Sequence, residues 1–174
     1  MTHIKYGKLN VIVTGTPKTD NINDFINVIR RHHITDIVRA CNLCYDDTLI
    51  KSLCSIHEYI FDDGQFPTDD IIWQWIKLLF IHFYEYKSIY AGYPILIHCH
   101  AGQGRAPLLV CIAIIVCENK DPLDAILIVR KFIKHALNNY QVDMLTKTDW
   151  KMYRNEFQKL VKKYNGKDSK CNIS

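Results

Sequence analysis

The 174 residues contain no apolar run long enough to span a membrane. The most apolar stretch, Ala106 to Cys117, falls far short of the ~20 residues a spanning helix needs, and reads as a buried core helix. No basic and apolar signal pattern opens the chain, so secretion is not expected. There is no internal repeat and no linker long enough to divide domains. Charge of one sign is not in large excess. Lys and Arg number 22 against 18 Asp and Glu, a formal net charge of +4, which suits acidic or phosphorylated partners without demanding them. The aromatic-and-basic strand pattern that stacks bases is missing, which argues against nucleic acid as a partner. Cys41 and Cys44 form a Cys-x-x-Cys with no second ligand pair at a metal-site spacing, so they read as two cysteines at a strand end. Seven cysteines without a secretory signal read as free thiols in a reducing compartment.

What is present is a chain of ordinary apolar content, sized for one domain with a single core. β-rich runs alternate with amphipathic segments. Leu9 to Val13 reads as a strand, followed by the turn Thr14-Gly15-Thr16-Pro17. Asp20, Asn21 and Asn23 are candidate caps for a helix running to Arg31. Ile34 to Arg39 reads as a second, buried strand, Asp46 to Leu53 as a short helix, and His57 to Phe61 as a third strand. Asp62 to Pro67 is a loop. Thr68 caps the next helix, whose aromatics Trp73, Trp75 and Phe80 read as packing residues. Ala91 to Pro94 breaks the chain before another strand. Beyond Asn119, Pro122 sits at a first helical position, Ala136 to Tyr140 reads as a loop, and Val142 to Tyr164 as one last amphipathic helix. The expected fold is α/β, a central, mostly parallel sheet of about four to five strands flanked by helices, with ligand at the carboxyl ends of the strands.

The chemistry lies in Ile95 to Arg105. A short apolar run ends in His98-Cys99, a glycine-bearing loop follows, and Arg105 opens the long apolar helix. A helix N-terminus offers unpaired N–H groups and a positive dipole end, both of which favour an anion. Cys99 sits where those groups converge, which favours its thiolate form. Gly102 and Gly104 let the backbone curl around a ligand. Arg105, six residues after Cys99, can hold two phosphate oxygens with its planar fork.

His-Cys, five residues, then Arg is the signature of the cysteine-dependent protein tyrosine phosphatases. The form here, His98-Cys99-His100-Ala101-Gly102-Gln103-Gly104-Arg105-Ala106-Pro107, most resembles the type IVA group, the phosphatases of regenerating liver. Other stretches resemble the same group: Val13 to Thr19, Ile37-Val38-Arg39-Ala40-Cys41 with Tyr45-Asp46, Phe61-Asp62-Asp63-Gly64, and the terminal Cys171-Asn172-Ile173-Ser174. Tyr59-Ile60 replace the family's Trp-Pro, His100 and Gln103 replace apolar residues, and the last helix matches poorly.

The resemblance implies a cysteine-dependent phosphatase fold, a dual-specificity-type domain over residues 1–165, and hydrolysis of phosphate monoesters through a phosphocysteine. Cys99 is the implied nucleophile. Arg105 and the amides of His100, Ala101, Gly102, Gln103 and Gly104 hold the phosphate. Asp63 is the implied general acid, with Asp62 able to share the role. His98 is expected to orient the loop and help keep the thiolate. Ala106 stands where many relatives carry a hydroxyl that assists breakdown of the phosphocysteine, so low turnover is expected. Cys41 is implied as the partner of Cys99 in a reversible disulfide. No cofactor or metal is called for, because a thiolate supplies the nucleophile without zinc.

Residues 166–174 read as a flexible basic tail ending in a CaaX-like box, with Cys171 farnesylated and Lys162, Lys163, Lys167 and Lys170 as the second membrane signal. That places the protein in the cytoplasm, on the cytosolic face of membranes. Phosphorylated proteins are the expected substrates. The resemblance leaves two further readings open: a largely non-catalytic module docking a magnesium transporter of the CNNM type, and a phosphatase for phosphoinositides or RNA 5′-phosphates.

Overall fold

The computed structural model describes residues 1–18, 20–85, 89 and 92–165. The tail 166–174, with Cys171, lies outside the described residues.

Among the described residues, five strands form one sheet in the order β1-β2-β5-β3-β4, namely β1 (Thr2–Tyr6), β2 (Leu9–Gly15), β3 (Asp36–Arg39), β4 (Ser55–Glu58) and β5 (Ile95–Cys99). Three of the four pairings are parallel; at one edge β1 runs antiparallel to β2. β5 lies between β2 and β3, and all five of its residues are buried. A strand covered on both faces reads as a continuous apolar run, which is the pattern of Ile95-Leu96-Ile97.

The side chains of these strands alternate between two cores. Val11, Val13, Ile95, Ile97 and Val38 join the larger cluster, beneath α3 (Asp69–Leu79), α4 (Arg105–Cys117), α5 (Pro122–Phe132) and the terminal helices. Ile12, Leu96 and Ile37 face the other way, against Phe25, Ile26 and Ile29 of α1 (Ile22–Arg31) and Ile50 of α2 (Thr48–Lys51). α4 is apolar all round and buried along its whole length, as a helix without a polar face must be.

Several boundaries differ from those read in the sequence. β1 is an added strand; only Ile4 of its five residues is buried, so it carries little apolar signal. The third strand is Ser55–Glu58, not His57 to Phe61; Tyr59 and Phe61 are buried as packing residues of the connection that follows. The second strand begins at Asp36, and the Asp46-to-Leu53 helix contracts to α2. α3 runs on into a turn of π-helix, Phe80–Tyr84. The final helix is two, α6 (Asn139–Lys147) and α7 (Lys151–Asn165), and the expected loop Ala136 to Tyr140 contains the start of α6. Buried apolar residues, Leu145 and Trp150, flank a break of only a few polar residues, so the pattern reads as one helix. The interruption shows in hydrogen bonds: Asp149 accepts from the Lys151 amide at 3.0 Å, and Trp150, 3 % exposed, folds back to donate to the Leu145 carbonyl at 2.8 Å.

Candidate active site

β5 delivers Cys99 to the carboxyl edge of the sheet. Gly15 pairs with Cys99 at the end of β2, and Arg39 with His98 at the end of β3. Adjacent strand residues point to opposite faces. His98 therefore turns toward α1, where its ring meets Phe25 edge-on, while Cys99 joins the core on the α4 side.

The loop after Cys99 folds back over the end of β2. The Thr16 amide donates to the His100 carbonyl at 3.1 Å, and the Thr16 hydroxyl donates to the Cys99 carbonyl, also at 3.1 Å. At Gly102 φ is +70°, and a Cβ would stand 3.0 Å from the Thr14 carbonyl. Only glycine fits a left-handed residue pressed that closely on another backbone. Gly104 precedes α4, so the first-turn amides of that helix have no acceptors within it.

A cavity of about 280 Å³ opens above this loop. Cys99 lies at its floor, 2 % exposed, with His100, Ala101, Gln103 and Gly104 around it. Asp63 and Gly64 form the opposite side, and His135, Leu137, Asn138 and Gln141 close the third. Gly102 backs onto β2 instead. Asp62 is exposed and does not line the cavity; its carbonyl accepts from the Gln65 amide at 3.1 Å. Ala106 is fully buried beneath the loop in the first turn of α4.

Arg105 is 5 % exposed. Its Nη1 donates to the Phe61 carbonyl at 3.2 Å, and its Nε lies 3.2 Å from Asp63 Oδ1, close enough for charge attraction but not aligned as a hydrogen bond. Nη2 is buried with no hydrogen-bond partner among the described residues. Buried polar groups are ordinarily paired. A guanidinium held in place by one carbonyl, with donors left over beside a cavity, is arranged for an oxyanion.

Behind the loop, His98 is fully buried. Its Nε2 is 2.9 Å from the Tyr45 hydroxyl, and its Nδ1 is 4.0 Å from Cys41 Sγ. Burial above all, then the charges of Arg39 and His100, pushes the His98 imidazole down to about 4. His98 is thus neutral at pH 7 and can orient the loop, but supplies no positive charge to a thiolate. Tyr45 is held in turn by Arg39, whose guanidinium lies 5.9 Å from the Tyr45 ring and pairs with Asp47 at 2.8 Å and with Glu58.

Cys41 is buried just past β3. Its Sγ lies 3.6 Å from the Thr16 hydroxyl. That hydroxyl spends its proton on the Cys99 carbonyl, so the Cys41 thiol is the donor between them. Burial pushes the Cys41 thiol up, keeping it protonated. Cys41 and Cys99 are both free thiols.

The structure thus gathers Cys99, Asp63, His100, Ala101, Gln103 and Gly104 around one cavity, brings Arg105 to Asp63 at its side, and sets His98 and Cys41 behind it. Four residues that line the cavity, His135, Leu137, Asn138 and Gln141, were not singled out from the sequence. His135 and Leu137 carry no local signal for it. Asn138 and Gln141 do, because Asn-x-x-Gln is a helix-start pattern, and the structure contains that capping box.

No protein-family model matches the chain. Protein tyrosine phosphatase PRL-1 of Leishmania major is 34 % identical over 139 residues, covering 78 % of this chain and 79 % of that protein. Mouse protein tyrosine phosphatase type IVA 2 is 33 % identical over 150 residues, 86 % of this chain and 87 % of that one. A solved structure of a Leishmania major protein tyrosine phosphatase superposes with a TM-score of 0.73 at 30 % identity, covering 85 % of this chain and 98 % of the other. With a shared fold and this identity over most of the length, the chain belongs to the type IVA, or PRL, family of protein tyrosine phosphatases.

Proposed function

We propose that residues 1–165 act as one phosphatase domain in which Cys99 attacks the phosphorus of a phosphate monoester carried by a protein. The observation that carries this reading is the buried Arg105 guanidinium, with unspent donors, set against Asp63, which lines the cavity that holds Cys99. The thiolate of Cys99 forms the S–P bond as the ester P–O bond breaks. Arg105 and the amides of the loop hold the three equatorial oxygens through the transition state, where positioning and charge stabilisation do most of the work. Asp63 gives its proton to the leaving oxygen, then takes one from the water that hydrolyses the phosphocysteine and returns Cys99 as thiolate. The Asp63–Arg105 contact supports this assignment over Asp62: an entering phosphate replaces the carboxylate on Arg105 and frees it to face the leaving group.

The second half of the cycle is slow, because the methyl of Ala106 offers no hydrogen bond to the departing sulfur. A long-lived phosphocysteine also suits a docking role, with a transporter of the CNNM type as the partner. Regulation is by oxidation: peroxide converts the Cys99 thiolate to a sulfenic acid, and the Cys41 sulfur displaces water from it to form the disulfide. The Thr16 hydroxyl, 3.6 Å from Cys41 Sγ and bonded to the Cys99 carbonyl, links the two residues and supports that pairing.

The test is one panel on aryl phosphates. Cys99→Ser is expected to abolish turnover. Asp63→Ala should slow it by about a hundredfold while still labelling Cys99 stoichiometrically, and Ala106→Ser should raise it. Peptide mapping after mild peroxide is expected to recover a Cys41–Cys99 linkage. Turnover surviving Cys99→Ser would overturn the reading. A protein partner bound undiminished by Asp63→Ala would favour docking as the main role.

A further inference from the structure

The stretch from Leu137 to Gln141 touches both loops of the site. The Leu137 amide donates to the Gln103 carbonyl at 3.0 Å, from a leucine held at φ +69°, a left-handed conformation that persists only where the surroundings enforce it. The Asn138 side chain donates to the Gly64 carbonyl at 3.0 Å, and the Gln141 side chain to the Gln65 carbonyl at 3.2 Å. Those are the two carbonyls immediately after Asp63. Gln141 is fully buried and faces the cavity that holds Cys99.

Each of these two amides is divided between two duties. Their oxygens cap α6: Asn138 Oδ1 accepts from the Gln141 amide at 2.8 Å, and Gln141 Oε1 accepts from the Asn138 amide at 3.2 Å. Their nitrogens reach outward to the Asp63 loop. A carboxylate at either position would cap the helix equally well, and Glu is a usual partner in such a box. It could not donate to a carbonyl. The cap alone therefore does not account for an amide at both positions.

Asp63 needs such a hold. Its side chain is 82 % exposed, and an exposed charge contact with Arg105 fixes a carboxylate weakly. We propose that Gln141, with Asn138, is a positioning residue that sets Asp63 over Cys99 by tethering the backbone behind it. This rests on the reading of Asp63 as the proton donor. The tether joins the acid loop to the same short segment that grips Gln103, so the two loops share one reference point.

Proton donation matters most when the leaving group is poor, so the test compares kcat/KM on phenyl phosphate with that on 4-nitrophenyl phosphate in the full-length protein. Gln141→Glu and Asn138→Asp preserve the cap and remove the tether. Any general effect of the new charge on phosphate binding cancels in the ratio of the two esters. Each variant is expected to lower the phenyl-to-nitrophenyl ratio, Gln141→Glu by about tenfold, a fraction of what a general acid contributes. Neither should lower it further in an Asp63→Ala background. An unchanged ratio, or a loss that multiplies with that of Asp63→Ala, overturns the positioning role; if Gln141→Glu does not fold, Asn138→Asp alone decides. Should Asp63→Ala itself leave the ratio unchanged, the proton-donor assignment falls first and this inference with it.

Discussion

His98 is a histidine in the last place a strand can hide one, with Phe25 on one side, Tyr45 at its Nε2 and Cys41 at its Nδ1. An imidazole pushed from 6.5 to about 4 by folding binds its proton more readily in the unfolded chain. Stability therefore falls as pH drops below about 6.5, and the loss saturates near 4. The steepest slope is no more than about 1.4 kcal/mol per pH unit for one such group. Asp36 adds to the acid sensitivity. Burial raises its carboxyl, but hydrogen bonds from His57 at 2.6 Å and His82 at 3.0 Å outweigh that and hold it well below the usual range, so its protonation costs stability at still lower pH. Urea titrations from pH 7.5 to pH 4.5 are expected to show the midpoint falling. His98→Gln, which cannot titrate, should lose less over the same range. Parallel curves for the two proteins would mean that His98 is not the group responsible.

The element that matters most is the β5–loop–α4 unit. Its loop has little freedom, because Gly102 presses on Thr14, and the Thr16 amide and hydroxyl grip the loop carbonyls from β2's end. Gly102→Ala must hold alanine at φ +70° with a Cβ 3.0 Å from the Thr14 carbonyl. Left-handed strain costs of order 1–3 kcal/mol, before any steric shift is counted. The variant is expected to melt several degrees lower and to lose most of its kcat/KM, since the amides proposed to hold phosphate belong to the same turn. A variant as stable and active as the parent would show that the loop yields freely. The elements also explain where sequence patterns were informative. β5 and α4 were legible because each is a single buried run with one period. β1 carries one buried residue, and the α6–α7 break is a short polar gap between two buried apolar residues, Leu145 and Trp150, so neither boundary stood out in the pattern.

At the scale of the molecule, the site is an assembly of distant segments. The strands bring Gly15 beside Cys99 and Arg39 beside His98, and the Asp63 loop and the start of α6 line the same cavity as Cys99. Among the described residues no helix is long and apolar enough to cross a membrane. The proposed membrane association rests on a lipid at Cys171, and one chain holds only weakly without a basic cluster beside it. In a eukaryotic cell, Cys171→Ser is expected to move the protein from the membrane fraction to the supernatant. Replacing Lys162, Lys163, Lys167 and Lys170 with Gln should do so in part. Unchanged fractionation of Cys171→Ser would remove prenylation from the account.

The amino-acid order alone determined the strand–loop–helix around Cys99 and the reach of Arg105, because each depends on residues close together in the chain and on local geometry; the candidacy of Asp63 came from the family resemblance. Tertiary structure decided the rest. It set Asp63 rather than Asp62 against the cavity, left His98 neutral, made Cys41 the protonated thiol, and turned an ordinary helix cap at Asn138 and Gln141 into a tether. Those outcomes depend on burial and on partners far apart in the chain, and no local pattern encodes either.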